Sequence, residues 1–132
     1  MKKDEYRLKN EQFLTDLAQR EGINNLKNGV LYEVITSGDG KACASPSNVV
    51  TIHYKGSLIS GYVFDDSHRR GYPEAFRISE LVDGMQTALL SMRVGDNWRV
   101  YIPWSEGYGK RTDGDIPGFS TLIFDIEVIS VV

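Results

Sequence analysis

Residues Tyr62 to Ile78 read YVFDDSHRRGYPEAFRI. Asp65, Asp66, Ser67 and His68 stand side by side there, directly after the apolar pair Val63 and Phe64. Two carboxylates, a hydroxyl and an imidazole are the groups of acid, base and nucleophilic chemistry. Adjacency along a chain does not make a catalytic set, because nucleophile, base and orienting group are recognised by how their side chains meet. A pair of aspartates in a polar segment is more often a solvated turn than an acid/base pair. The competing reading is a recognition segment at the mouth of a pocket, with a carboxylate set beside a core-type Phe.

Other chemistries fail on spacing. EGYGKRT invites comparison with a phosphate-binding loop, but position 104, where that motif needs glycine, is Trp, and Arg111 follows Lys110. His53 and His68 are the only histidines and Cys43 the only cysteine, so no zinc spacing and no internal disulfide can be written. No glycine-rich dinucleotide fingerprint opens a helix. An enzyme with this sequence is expected to use no metal, no cofactor and no covalent intermediate.

The chain has 132 residues, 41% hydrophobic and 25% charged, which suits a single soluble domain with a real core. A net charge of −3 with scattered Lys and Arg argues against nucleic acid as a partner. No apolar run reaches the roughly 20 residues of a membrane span. The opening MKKDEYRLKNEQF lacks the apolar stretch of a signal peptide, which leaves a cytoplasmic location open.

The elements that must position these residues can be read from periodicity. Tyr6, Asn10, Phe13, Leu14, Leu17 and Ala18 recur at helical spacing, and Gly22 is placed to stop that helix. An isolated helix of this length is marginal in water. It must dock on the domain, pair with a second copy, or fray. After NNLKNG the pattern turns to strands: VLYEVIT, VVTIHYKGSLI, YVFD, NWRVYIP and TLIFDIEVISVV. Val50, Ile52 and Tyr54 share one face of the second strand, Trp98, Val100 and Ile102 one face of the fourth, and Leu122, Phe124, Ile126 and Val128 one face of the last. One later segment, ELVDGMQTALLSM, reads as a helix with Leu81, Val82, Met85, Leu89 and Met92 on a common face. The fold class is therefore α+β: an antiparallel sheet of five to six strands curled around one short helix, preceded by an N-terminal helix. The connection from Trp104 to Ser120 exceeds the usual loop length and carries Trp104, Tyr108, Ile116 and Phe119, which marks it as functional rather than a linker.

VTIHYKGSL, VFDDS, VGDNWRVYIPWSEGYG and STLIFDIEVI occur in this order with a Gly-Met-Gln helix between them. Together they resemble the FKBP-type peptidyl-prolyl cis/trans isomerases over roughly residues 26–132. The helix followed by NGVLYEVITSGDGK resembles the bacterial macrophage-infectivity-potentiator branch. The resemblance implies an N-terminal helical arm over 1–25 and an isomerase domain over 26–132. It implies catalytic roles for Tyr54, Phe64, Asp65, Tyr108 and Phe124 around an apolar pocket. It implies substrate contacts from Phe76, Leu81, Val82, Met85 and Ile116, with Arg70 paired near the Asp65 carboxylate. Met85 stands where the family usually has Trp, and Glu74 where many members carry an aromatic. The partners implied are proline-containing unfolded or folding polypeptides, macrolides of the immunosuppressant type, and a second copy through the N-terminal helix. The branch also implies the bacterial periplasm or envelope.

Three functions are open at this point. The first is isomerisation of X-Pro bonds. The second is a non-catalytic peptide-binding or folding-assistance module of the same fold, which Met85 and Glu74 favour. The third is an assembly role of the N-terminal helix, under which removing residues 1–22 would leave the isomerase rate intact.

Overall fold

A computed structural model describes residues 2–132. The elements run α1 (Lys3–Ala18), β1 (Asn24–Asn25), β2 (Leu31–Thr36), β3 (Val49–Ser57), β4 (Val63–Asp66), α2 (Ser67–Arg70), β5 (Glu74–Arg77), α3 (Asp83–Leu89), β6 (Asn97–Ile102) and β7 (Leu122–Val131). Short 3-10 turns lie at Lys27–Gly29, Ile78–Glu80 and Trp104–Glu106.

All strand pairs are antiparallel, in the order β1-β2-β6-β7-β3-β4, with β5 also pairing β3. β3 has one long edge on β7. Its other edge is divided: Val49 to Ile52 pair with β5, and Lys55 to Ser57 pair with β4. The chain between β4 and β5 therefore leaves the sheet midway along β3, at Tyr54. The sheet has more strands than periodicity gave, because β1 and β5 are two and four residues long, too short to display an alternation.

The alternation itself is kept. Val50, Ile52 and Tyr54, then Trp98, Val100 and Ile102, then Leu122, Phe124, Ile126 and Val128 are all buried, and they share one core with Met85, Ala88, Leu89 and Met92. α3 lies against this inner face, and Gly84 sets how close it comes. A Cβ at Gly84 would sit 2.4 Å from the Ile102 side chain. α3 is shorter than its apolar pattern. Leu81 closes the preceding 3-10 turn and Val82 is the N-cap, both extended, so these two reach the core from outside the helix.

The outer face is mostly polar, as the Arg99–Asp125 pair across β6 and β7 illustrates (Nε···Oδ1 2.7 Å). One apolar row interrupts it: Leu31, Tyr101 and Ile123, in register across β2, β6 and β7. Leu17, Phe13, Leu14 and Ile23 pack on that row. The helix therefore docks on the domain. Burial of Leu17 alone stabilises this contact by roughly 1.5–3 kcal/mol. Asn10, fully buried, fixes the register: its Nδ2 donates to the Tyr6 carbonyl (2.8 Å) and its Oδ1 accepts from the Thr121 N–H (2.8 Å). α1 ends at Ala18, and Gly22 follows in a left-handed conformation (φ 86°). Among the described residues no helix is long and apolar enough to cross a membrane.

Candidate active site

Inward positions of β3 run Val50, Ile52, Tyr54, Gly56 by strict alternation. Gly56 leaves a gap where the next side chain would stand. Phe64 and Phe124 occupy it: a Cβ at Gly56 would lie 2.6 Å from the Phe64 ring and 2.8 Å from the Phe124 ring. The two rings meet edge to face, 5.7 Å between centroids. Tyr54 stands 6.3 Å from Phe124 and 5.8 Å from Phe76, the latter also edge-on. Aromatic rings in these geometries attract through their quadrupoles and hold rigid walls.

These rings enclose a cavity of about 420 Å³ lined by Ile52, Tyr54, Phe64, Asp65, Phe76, Glu80, Leu81, Val82, Met85, Tyr108 and Phe124. Ile52, Met85 and Phe124 are buried at its base, while Phe64, Asp65, Phe76 and Tyr108 are half-buried or exposed around it. Nine of the residues singled out from sequence thus converge on one space. Two do not line it. Arg70 stands behind Asp65, and Ile116 is buried in the main core on a turn closed by reciprocal Asp113–Ile116 backbone bonds. Ile52 and Glu80 line the cavity without having been singled out. Ile52 shares a face with Tyr54, so the strand period points to it. Glu80 immediately precedes Leu81, and nothing in its type marked it.

The acidic segment separates into two functions. Asp65 and Asp66 end β4 and point to opposite sides. Asp66 caps α2, its Oδ1 accepting from the N–H groups of His68 (3.0 Å) and Arg69 (3.4 Å). Asp65 faces the cavity, where the Tyr54 hydroxyl donates to its Oδ2 (2.5 Å) and Arg70 Nη1 donates to its Oδ1. Arg70 Nη2 also donates to the Tyr54 oxygen (3.1 Å), and its Nε pairs with Glu74 Oε1 (2.8 Å). Glu74 is thus the second carboxylate holding Arg70. Ser67, fully buried, spans the gap between β4 and β5. Its Oγ accepts the Tyr54 N–H (2.8 Å), donates to the Tyr54 carbonyl (3.2 Å) and lies 2.7 Å from His53 Nδ1. This satisfies the backbone of Tyr54 on the edge where neither β4 nor β5 pairs with it.

The electrostatics follow. Partial burial alone would raise the Asp65 carboxyl, but the Tyr54 hydroxyl and then Arg70 outweigh it and hold it below the usual carboxylate range. Burial, reinforced by the hydrogen bond to Asp65, pushes the Tyr54 phenol far above its ordinary value. Burial also raises Tyr108, helped by the charges of Asp113 and Asp65. At neutral pH Asp65 is a carboxylate, and Tyr54 and Tyr108 are neutral phenols. Among the described residues no group of three or more His, Cys, Asp or Glu is arranged to hold a metal ion. The Met85 N–H is taken by the Val82 carbonyl (3.0 Å), so it is not available to a ligand; the Val82 N–H has no acceptor among the described residues.

An apolar cavity with aromatic walls and one fixed carboxylate can bind a small apolar ring beside a polar amide. Comparison with known proteins agrees with this chemistry. Residues 40–129 match the family FKBP-type peptidyl-prolyl cis-trans isomerase. The chain is 39% identical over 121 residues to the FKBP-type 22 kDa peptidyl-prolyl cis-trans isomerase of Escherichia coli K12, covering 91% of this chain and 58% of that protein. It is 38% identical over 131 residues to the outer membrane protein MIP of Legionella longbeachae, covering 98% of this chain and 56% of that one. The chain therefore spans little more than half the length of these relatives. A crystal structure of a peptidyl-prolyl cis-trans isomerase from Pseudomonas syringae superposes with a TM-score of 0.91 at 30% identity, covering 99% of this chain and 96% of that one. With the family signature, the fold and the relatives in agreement, this chain belongs to the FKBP-type peptidyl-prolyl cis-trans isomerase family.

Proposed function

We propose that this protein accelerates cis/trans rotation of X-Pro bonds in polypeptides. The observation that carries the reading is the aromatic cavity of about 420 Å³ with Asp65 held in one wall by Tyr54 and Arg70. An X-Pro bond isomerises unaided in tens to hundreds of seconds, over a barrier of about 18–20 kcal/mol that is amide resonance. Twisting the bond localises the nitrogen lone pair and weakens the carbonyl dipole. An apolar site therefore disfavours the planar amide more than the twisted one, and catalysis is the difference between the two. Turnover near 100 per second requires about 5 kcal/mol of barrier reduction.

In this reading Tyr54, Phe64, Phe76, Met85 and Phe124 enclose the proline ring, and Leu81 and Val82 contact the chain beside it. The Tyr108 hydroxyl donates to a substrate carbonyl, and the Val82 N–H is free for a second. Asp65 faces the twisted amide with its charge fixed by Arg70. Ile116 contributes through the core beneath the long loop rather than by contact, which its burial supports. Residues 1–25 are taken as the arm and 26–132 as the isomerase domain, a division supported by the family match lying within the latter. Substrates are unfolded or folding chains with accessible prolines. Macrolides of the immunosuppressant type would use the same cavity. A second copy would pair on the side of α1 that carries Leu8, which is 65% exposed. The envelope location is supported by the likeness to the outer membrane protein MIP of Legionella longbeachae.

A protease-coupled assay with an Xaa-Pro peptide tests the activity. Acceleration that drops at least fivefold in Asp65→Ala and in Tyr108→Phe is the expected result. No acceleration at micromolar protein leaves the peptide-binding module, and full rate in both variants moves the site elsewhere.

A further inference from the structure

Tyr108 is the one residue of the long loop that lines the cavity, and the loop has no strand of its own to hold it there. What holds it are two backbone ties. On one side the Trp104 carbonyl accepts from the N–H groups of Gly107 (3.2 Å) and Gly109 (2.9 Å), which flank Tyr108. On the other the Gly109 carbonyl accepts from the Phe119 N–H (2.9 Å). Trp104 and Phe119 in turn meet edge to face, 4.9 Å between centroids.

Both rings are held by α1. Trp104 Nε1 donates to Glu11 Oε2 (2.9 Å), and Arg7 Nε pairs with the same oxygen (3.2 Å). The Arg7 guanidinium lies 5.2 Å from the centre of the Trp104 ring and 5.1 Å from that of Phe119, and Lys3 Nζ lies 5.6 Å from Phe119. Next to them the Tyr6 hydroxyl donates to Ser120 Oγ (2.6 Å), whose own proton goes to the Pro117 carbonyl. The Trp104 hydrogen bond and Arg7 lower the Glu11 carboxyl against the opposing effect of burial, which keeps this contact charged at neutral pH.

We propose that Glu11 is a positioning residue for Tyr108. Through Trp104 it fixes the peptide groups on both sides of Tyr108, so that the docked helix sets the geometry of a pocket it does not touch. The inference rests on the isomerase reading. It contradicts the pure assembly role of the helix, under which the helix and the rate are independent.

The test is made on the full chain. Glu11→Ala should lower kcat/KM for an Xaa-Pro peptide three- to tenfold, with the loss mostly in kcat. Glu11→Gln, which keeps an acceptor for the indole N–H, should stay within 1.5-fold of the parent. In a Tyr108→Phe background Glu11→Ala should add less than 1.5-fold. Amide exchange at Gly109 and Phe119 should quicken in Glu11→Ala and not in Glu11→Gln. Unchanged activity or unchanged exchange in Glu11→Ala overturns the proposal, as does an equal loss in the Tyr108→Phe background. A parent chain without isomerase activity overturns the functional reading and this inference together, whereas an active parent indifferent to Glu11→Ala overturns the inference alone.

Discussion

The Tyr54 hydroxyl donates to Asp65 Oδ2 at 2.5 Å, beside the point where the second edge of β3 passes from β5 to β4. That bond holds the carboxylate ionised and the phenol neutral, and the pH behaviour follows. The native Asp65 carboxyl lies below its unfolded value, so its contribution to stability is complete above the ordinary carboxylate range of about 4. It is lost as the pH falls through that range to the lowered native value. The stability difference between the parent and Asp65→Asn should be constant from pH 6 to 8 and shrink steadily between pH 5 and 2. Urea unfolding of both proteins across this range measures it, and a difference that grows on acidification contradicts the assignment.

The same electrostatics predict the rate profile. Asp65 is shifted down, and Tyr54 and Tyr108 are shifted up, so none of the three changes charge between pH 6 and 9. Isomerisation by differential binding should then vary less than twofold over that interval. A bell-shaped profile would instead point to proton transfer.

Gly56 provides a steric test. Its added Cβ would overlap the rings of Phe64 and Phe124 at 2.6 and 2.8 Å. Gly56→Ala should cost roughly 1–3 kcal/mol, as overpacking does, and displace the edge-to-face pair that walls the cavity. Denaturant titration and the peptide assay should fall together. A stable variant with full activity would mean the rings do not need their present places.

Asp66 separates structure from chemistry within one dipeptide. Asp66→Ala removes the cap of a single-turn helix and should cost about 1 kcal/mol. Because α2 carries Arg70, activity should fall modestly, less than in Asp65→Ala. Equal losses in the two would mean that α2, and not the carboxylate itself, is what the site requires.

How much of this was legible in the sequence depends on period. β3, β6 and β7 are long enough to show alternation, and every inward residue named from it is buried. β1, β5 and α2 are four residues or fewer, and no period can be counted in them. The apolar face of ELVDGMQTALLSM is longer than α3 at both ends, because Leu81 and Val82 before it and Met92 after it reach the core from outside the helix. The cavity residues were found by motif. The motif names Asp65 and not Asp66 as the pocket carboxylate, but the capping of α2 by Asp66 has no signal in it, since α2 is too short to be read as a helix. Asn10 sat in the helical stripe as an apparent exception. Its complete burial needs Thr121, 111 residues away, whose N–H donates to its Oδ1. Long-range polar partners of this kind have no local signal.

Met85 gives the sharpest test of ligand range. It lies buried at the base of the cavity, at the position where family resemblance expects Trp. A thioether on three rotatable bonds fills the space without fixing its shape. A proline ring is small and needs little area, so the proposed isomerase activity should tolerate that looseness. A macrolide, if the cavity takes one, is larger and would gain from a flat, rigid floor, since each immobilised rotamer-rich side chain costs about 0.5–1.5 kcal/mol on binding. Met85→Trp should therefore tighten macrolide binding at least tenfold, measured by calorimetry, while changing kcat/KM for a short Xaa-Pro peptide less than threefold. Loss of both together would show that the indole overfills the cavity. Unchanged macrolide affinity with unchanged activity would show that the base of the pocket does not contact the ligand, and that its affinity is set at the rim by Tyr108 and Phe76.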